Sequence, residues 1–380
     1  SANERVLVVD PHPEDVSHRT FCSWRKKSDS NHPHRELVSH RYSDFRITSR
    51  DQDRGPIKSF GEFCYERISG EAFHRFMHQK IFSDPRFEIL IDAAKKVIDE
   101  GSQVVTETES GKKIISKKLW NSLGEGTPDM IQHFFGFEIE TEIDFFDENV
   151  VDLMDFRTEQ KGEVRFFYIL PFSKTIGLVE FTIFSNSVLT AQDYEKELRH
   201  YLWHSFNLTN FKVRQIEQGA IPMSLDPWPR FSSPLGRNRI LPIGAAAAKI
   251  KASTGYSFIR NQADQRFVES PSLLAWRFQV YDTLLIGIMR SSGAALSEIF
   301  PPLFSKNSSK TLFSFLDEKT SFSQEVRIFA SLPWKNFLFQ LIFNYPFFFV
   351  AGFVVLISSL PAGLQSESVR ALGLWGLPVL

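Results

Sequence analysis

Cysteine is scarce in this chain of 380 residues, with only Cys22 and Cys64. That excludes a disulfide framework and makes a reducing compartment the default expectation. Charge of one sign is missing too: 44 Lys and Arg stand against 45 Asp and Glu, so no global field favours nucleic acid. No N-terminal signal peptide is visible. His32, His34 and the helix-spaced pairs His74/His78 and His200/His204 have no Cys or Glu partners in zinc-motif spacing, so no metal site is expected. The chain also contains no G-x-G-x-x-G turn. The absence matters because Arg5-Val6-Leu7-Val8-Val9-Asp10 looks like the second strand of a dinucleotide-binding βαβ unit. In such a unit the terminal carboxylate, here Asp10, accepts hydrogen bonds from ribose hydroxyls. The first strand and its glycine turn should lie about 20 residues earlier. The sequence is therefore expected to begin inside that unit, without its pyrophosphate cradle; an ordinary edge strand ending in Asp is the alternative.

What is abundant is phenylalanine, 38 residues of it. Aromatic rings can line a long apolar cavity or fill ordinary cores. The length suits one large two-lobed domain or two domains. Residues 11–60 are polar and rich in turn signals. Glu71 to Ala94 reads as mostly helical, and strands follow around a reversal at Ser110-Gly111-Lys112. From Gln132 to Phe184 the pattern is strand-like with antiparallel hairpin character, reversing at Pro171 to Thr175. A helix is expected from Asp193 to His204, and helical segments follow Ser272. From Asn336 to Ser366 there is no charged residue. That stretch is long enough to cross a bilayer, which takes about 20 apolar residues. Gln340, Asn344 and Pro346 interrupt it, so an interfacial helix, a re-entrant hairpin and a buried core helix compete with a span. Membrane contact is the favoured expectation.

The chain is organised around Leu241-Pro242-Ile243-Gly244-Ala245-Ala246-Ala247-Ala248, which continues to Lys251-Ala252-Ser253-Thr254-Gly255-Tyr256-Ser257-Phe258. A hydrophobic run ends in glycine, small residues follow, and Ser-Thr-Gly precedes an apolar segment expected to be helical. Small residues allow close backbone approach, and free N–H groups at a helix start suit an anionic or polarisable ligand. This stretch resembles the second flavin-contacting segment of the lycopene β-cyclase family, with Ala252 in place of a proline. Further blocks agree in order: Arg19 to Trp24, Phe134 to Glu138, Leu153 to Arg157, Tyr168 to Pro171, Gly219 to Met223 and Phe315 to Glu318. The likeness covers residues 5 to 340.

The resemblance implies an α/β fold: a Rossmann-like FAD-binding domain, N-terminally truncated, with an inserted antiparallel-sheet (α+β) substrate lobe as in flavoprotein hydroxylases. The lobes are expected at 1–130, with an excursion into the substrate lobe around 40–65, then 131–235 and 236–335, before an apolar tail at 336–380. It implies a non-redox isomerisation, in which the ψ-ends of lycopene close to β-ionone rings by way of γ-carotene to β-carotene. Reduced FAD would serve, with NAD(P)H as electron donor, on the cytoplasmic side of a membrane and near other carotenoid-pathway enzymes. Asp10, Gly244, Ser253, Thr254 and Gly255 would contact the flavin. An alkene is a very poor base, so the acid must stay protonated in a dry pocket, which apolar surroundings favour. Glu138 leads, in a block resembling the family's Phe-x-Gly-x-Glu; a solvent-facing strand residue is the alternative, since Glu138, Glu140 and Glu142 share parity. Asp155 and Glu318 are supporting carboxylates, or else a helix cap and an arginine partner. A related FAD-dependent hydroxylase or isoprenoid reductase, and a non-catalytic carotenoid-binding protein, are the rival functions.

Overall fold

The computed structural model describes residues 4–13, 19–29, 34–258 and 273–333. The apolar tail, His32 and the segment after Phe258 expected to be helical lie outside the described residues. Among the described residues, no helix is long and apolar enough to cross a membrane.

Two short parallel pairs stand outside the largest sheet: Val6–Val9 beside Phe87–Leu90, and Leu119–Asn121 beside Ile240–Pro242. Asp10 follows the first of these strands and accepts from the His12 amide at 2.9 Å. The helix expected through Ala94 runs only from Gly70 to Ser83. Its end has a local cause, because Asp84 precedes Pro85 and a residue before proline disfavours the helical region. The chain then forms Phe87–Leu90 and an antiparallel ribbon of Ala94–Asp99, Val104–Thr108 and Lys113–Ser116. Gly111 turns that ribbon with φ +83°, a conformation L side chains rarely adopt.

The largest sheet among the described residues has seven strands. Its spatial order is Lys212–Met223, Met130–Glu140, Ile176–Ser185, Val164–Pro171, Val150–Asp155, Asp44–Thr48 and Ile57–Ser59. All neighbours are antiparallel except Val150–Asp155 with Asp44–Thr48. Both faces are covered, so the central strands read as apolar runs rather than alternations; Gly177 to Ser185 is buried throughout. Phe135, Phe137, Phe167, Phe181 and Ile183 point to one face and pack on helix Ala191–Phe206. Thr190 caps that helix by accepting from the Asp193 amide, and Asn207 ends it with φ +51°. Each fully buried leucine on it, Leu198 and Leu202, contributes roughly 1.5–3 kcal/mol.

The opposite face carries Phe134, Phe166, Leu178 and Phe184. It meets helices Leu273–Ser292, Leu296–Lys306, Ser309–Leu316 and Phe322–Ala330, and a three-stranded sheet of Thr20–Lys26, Phe63–Ser69 and Val38–Tyr42. Between these layers the packing opens into a cavity.

Candidate active site

Strand parity places the chemistry. On Met130–Glu140, Gly136 pairs with Glu180 on one neighbouring strand and with Glu217 on the other. Residues directly opposite across a sheet share a face, so both carboxylates point to the helix-covered side, with backbones about 10 Å apart. Gly136 keeps the gap between them open: a Cβ there would lie 3.0 Å from Leu178 Cδ1 and 3.1 Å from Glu180 Cβ. Glu180 is 8 % exposed and Glu217 7 %.

Their surroundings differ. Glu180 accepts from the Thr182 hydroxyl at 2.6 Å. Burial pushes its carboxyl up to about 8, the nearby Glu217 adds to the rise, and Thr182 pulls the other way. Glu217 accepts from the Thr20 amide at 2.5 Å and from the Thr20 hydroxyl at 2.8 Å. Burial raises Glu217 above the usual carboxylate range as well, partly offset by the two Thr20 bonds, Arg67 and Arg19. Glu217 has two donors and Glu180 one, so the proton of the pair is favoured on Glu180.

Both carboxylates line a cavity of about 470 Å³, within the range of small-molecule sites. Most of its wall is apolar and aromatic: Phe21, Phe134 and Phe184 from the sheets, Phe278, Phe300 and Phe329 from the helices. A chain of buried hydroxyls crosses one side. Tyr256 meets Tyr65 at 2.7 Å, Tyr168 donates to Tyr65 at 3.2 Å, and the Cys22 thiol lies 3.4 Å from Tyr168. Burial pushes the Cys22 thiol up to about 12 and raises all three tyrosines, so these groups are neutral.

The stretch from Leu241 to Phe258 forms the rim. Ile240–Pro242 is a strand, Gly244–Ala247 one turn of 3-10 helix, and Gly244 has φ +59°. Ser253, Thr254 and Gly255 line the cavity. The amides of Thr254 and Gly255 donate to the Lys251 carbonyl at 3.1 and 2.8 Å, so they are committed within the turn. What those two residues and Ser253 offer the cavity is hydroxyls and a bare Cα. A Cβ on Gly255 would lie 1.9 Å from Gln132 Oε1, a buried acceptor without a hydrogen-bond partner among the described residues.

The other acids singled out from the sequence lie elsewhere. Glu138 sits two residues past Gly136, where the register shifts between Glu138 and Ile139, and pairs with Arg214 at 3.4 Å. It does not line the cavity; Arg214 spans it and Glu140. Asp155 is buried against Arg157, at 2.6 Å, and the Tyr201 hydroxyl, at 2.6 Å. Glu318, with φ +61°, pairs with Lys251 at 2.8 Å beside Asp282, while its neighbour Asp317 accepts from Trp24 Nε1 at 2.7 Å. Among the described residues, no group of His, Cys, Asp and Glu could hold a metal ion. Sequence reasoning passed over Glu180 and Glu217. The signal for Glu180 was there: one acid inside Leu178-Val179-Glu180-Phe181, with no basic residue near it.

No curated protein matches the chain. Among solved structures it is similar to a geranylgeranyl bacteriochlorophyll reductase-like protein from Thermoplasma acidophilum, at 14% identity, TM-score 0.51, covering 90% of this chain and 91% of that one. It is also similar to p-nitrophenol 4-monooxygenase PnpA from Pseudomonas putida DLL-E4, at 11% identity, TM-score 0.49, covering 90% and 88%. The first of these shows a shared mixed α/β fold. The sequence model described as lycopene cyclase protein matches residues 1–338. With its fold, its ordered motifs and that match in agreement, the chain belongs to the lycopene cyclase family.

Proposed function

We propose that the protein is a lycopene β-cyclase: it adds a proton to the ψ-end of lycopene and releases another after ring closure, giving β-ionone rings. One observation carries the reading. Glu180 is a buried carboxyl whose one hydrogen-bond donor among the described residues is the Thr182 hydroxyl, in a cavity walled by aromatic and aliphatic side chains, and burial there favours its protonated form. Protonating an isolated alkene requires that combination, because water would level the acid and capture the cation. Phe134, Phe184 and Phe300 present π-electrons to the same space, each able to stabilise a cation by roughly 0.5–2 kcal/mol.

The wall fits FAD, the cofactor that the resemblance to the lycopene cyclase family implies. The partnerless acceptor Gln132 Oε1 suits a ring carrying N–H donors, with Ser253, Thr254 and Gly255 beside it. Gly244 leaves open space for close approach, and Asp10 stands at a parallel strand end for ribose hydroxyls. When bound, reduced FAD would supply electron density near the developing cation, with NAD(P)H as the source of electrons. The acid role falls to Glu180 rather than to Glu138, Asp155 or Glu318, each of which already has a basic partner. Lycopene is insoluble, so the enzyme would work against the cytoplasmic face of a membrane.

Full-length protein expressed in lycopene-producing cells should yield cyclised carotenoid of unchanged mass. Glu180→Gln should abolish it, and Glu138→Gln should leave it. Hydroxylated or hydrogenated products would instead establish a hydroxylase or reductase, and Glu180→Gln with normal cyclisation would refute the assignment.

A further inference from the structure

We propose that Glu217 is the base of the cyclisation: it takes the proton that leaves the new ring and so decides where the ring double bond forms. The inference rests on the cyclase reading above and adds a second catalytic residue to it. Glu217 lies opposite Glu180 across Gly136, faces the same cavity, and differs in its hydrogen bonds. Both of its oxygens accept from Thr20, which stabilises the carboxylate form, while Glu180 has a single hydroxyl donor. One member of the pair is built to give a proton and the other to receive one.

The sequence of bonds balances. The Glu180 O–H bond breaks and a C–H bond forms at the terminal alkene. The resulting cation is consumed by the C–C bond that closes the ring, which moves the positive charge to a ring carbon. A C–H bond beside that carbon then breaks, its electron pair becomes the ring double bond, and its proton goes to Glu217. One proton has entered and one has left, with no net oxidation or reduction. A transfer from Glu217 to Glu180 across the Gly136 gap restores the pair.

Other candidate bases around the cavity are committed. Asp282 and Glu318 share Lys251, and Cys22, Tyr65, Tyr168 and Tyr256 hold their protons. The cation's neighbouring C–H bonds differ in position, so the base nearest one of them selects the ring isomer. Glu217 faces Arg19, Thr20 and Cys22 from Thr20–Lys26 and its edge, Arg67 from Phe63–Ser69, and Glu180 across the sheet; Tyr256 faces Glu180 from the rim. Cyclisation should then show two limbs with pH: an alkaline one as Glu180 loses its proton and an acidic one as Glu217 gains one.

The test measures initial rate, ring double-bond position by NMR, and pH profile for full-length wild type, Glu180→Gln, Glu217→Gln and Glu217→Asp. Glu217→Gln is expected to cyclise about a hundredfold slower, to shift its residual product toward other double-bond positions, and to lose the acidic limb. Its alkaline limb should move to lower pH, because the charge that raises Glu180 is gone. Glu217→Asp should restore most of the rate. Glu217→Gln with wild-type rate, ring composition and pH profile would overturn the inference, as would a slow variant that keeps ring composition and acidic limb and is not rescued by aspartate. Should Glu217→Gln fail to fold, Thr20→Val carries the test: the acidic limb should move to higher pH, and an unmoved limb overturns the role. Failure of the underlying reading looks different, since Glu180→Gln would then cyclise normally.

Discussion

Two pairs of acids are buried in the same seven-stranded sheet, and they are kept in opposite ways. Asp152 and Asp155 lie on one strand and are surrounded by cations. Arg46 reaches Asp152 at 2.9 Å and Arg54 at 3.2 Å, while Arg157 and Tyr201 hold Asp155. Glu180 and Glu217 lie on strands consecutive in sequence that flank Met130–Glu140 and meet across Gly136, and among the described residues no ion pair is drawn to Glu180. Burial raises the proton affinity of Glu180 with no cation opposing it, and raises that of Asp152 against the pull of Arg46 and Arg54, so the pairs differ in the partners the fold gives them. The first pair is structural cement between strands, and the second is a reactive site held open by what it lacks.

Substitutions at the two pairs should therefore trade places between activity and stability. Glu180→Gln should reduce cyclisation by about a hundredfold to ten-thousandfold, with a melting temperature within about 2 °C of wild type. Asp155→Asn should do the reverse, costing about 3–5 kcal/mol in denaturant titration by leaving Arg157 buried without its charge, with the folded fraction still active. If both variants lose only stability, the contrast collapses.

A smaller effect concerns His133, buried on the other face between Tyr194 and Ser185, at 2.8 Å from the latter. Burial lowers it from 6.5 to about 4. The unfolded chain takes up that proton first, so stability is full above about pH 6.5 and falls as pH drops toward 4, by about 2 kcal/mol at about pH 5. Glu180 contributes with the opposite sign: its raised value stabilises at low pH and is lost as pH climbs through about 8. Denaturation midpoints across that window should show both slopes, and His133→Gln should flatten only the acidic one.

Gly136→Ala presses on Leu178 and Glu180, with an expected cost of about 1–3 kcal/mol and a drop of about tenfold in rate. Glu138→Gln should be the mildest, below about 1 kcal/mol, because its pairing with Arg214 is half in solvent.

Much of this was legible in the sequence. The strands between Gln132 and Phe184, the reversal at Pro171 to Thr175 and the helix over Asp193 to His204 follow from periodicity and turn residues. What failed was local. The helix from Glu71 stops at Asp84 because of Pro85, a pre-proline effect that apolar spacing alone conceals. Glu138 stands out through its block's resemblance to Phe-x-Gly-x-Glu, while the shared parity of 138, 140 and 142 points to a solvent-facing strand end, where Arg214 pairs with it and Glu140. Glu180 stands where alternation vanishes, in a strand buried on both faces, so parity could not say which way it points. Only the pairing of Gly136 with both neighbours brings Glu217, 37 residues later, to its side.

Infrared difference spectroscopy of the full-length protein, comparing pH below and above about 8, tests the central claim most directly. A protonated carboxyl C=O band should disappear as pH rises through that value and be missing altogether from Glu180→Gln, while Glu138→Gln keeps it. A wild-type spectrum with no such band at neutral pH, or one that persists in Glu180→Gln, would contradict the account.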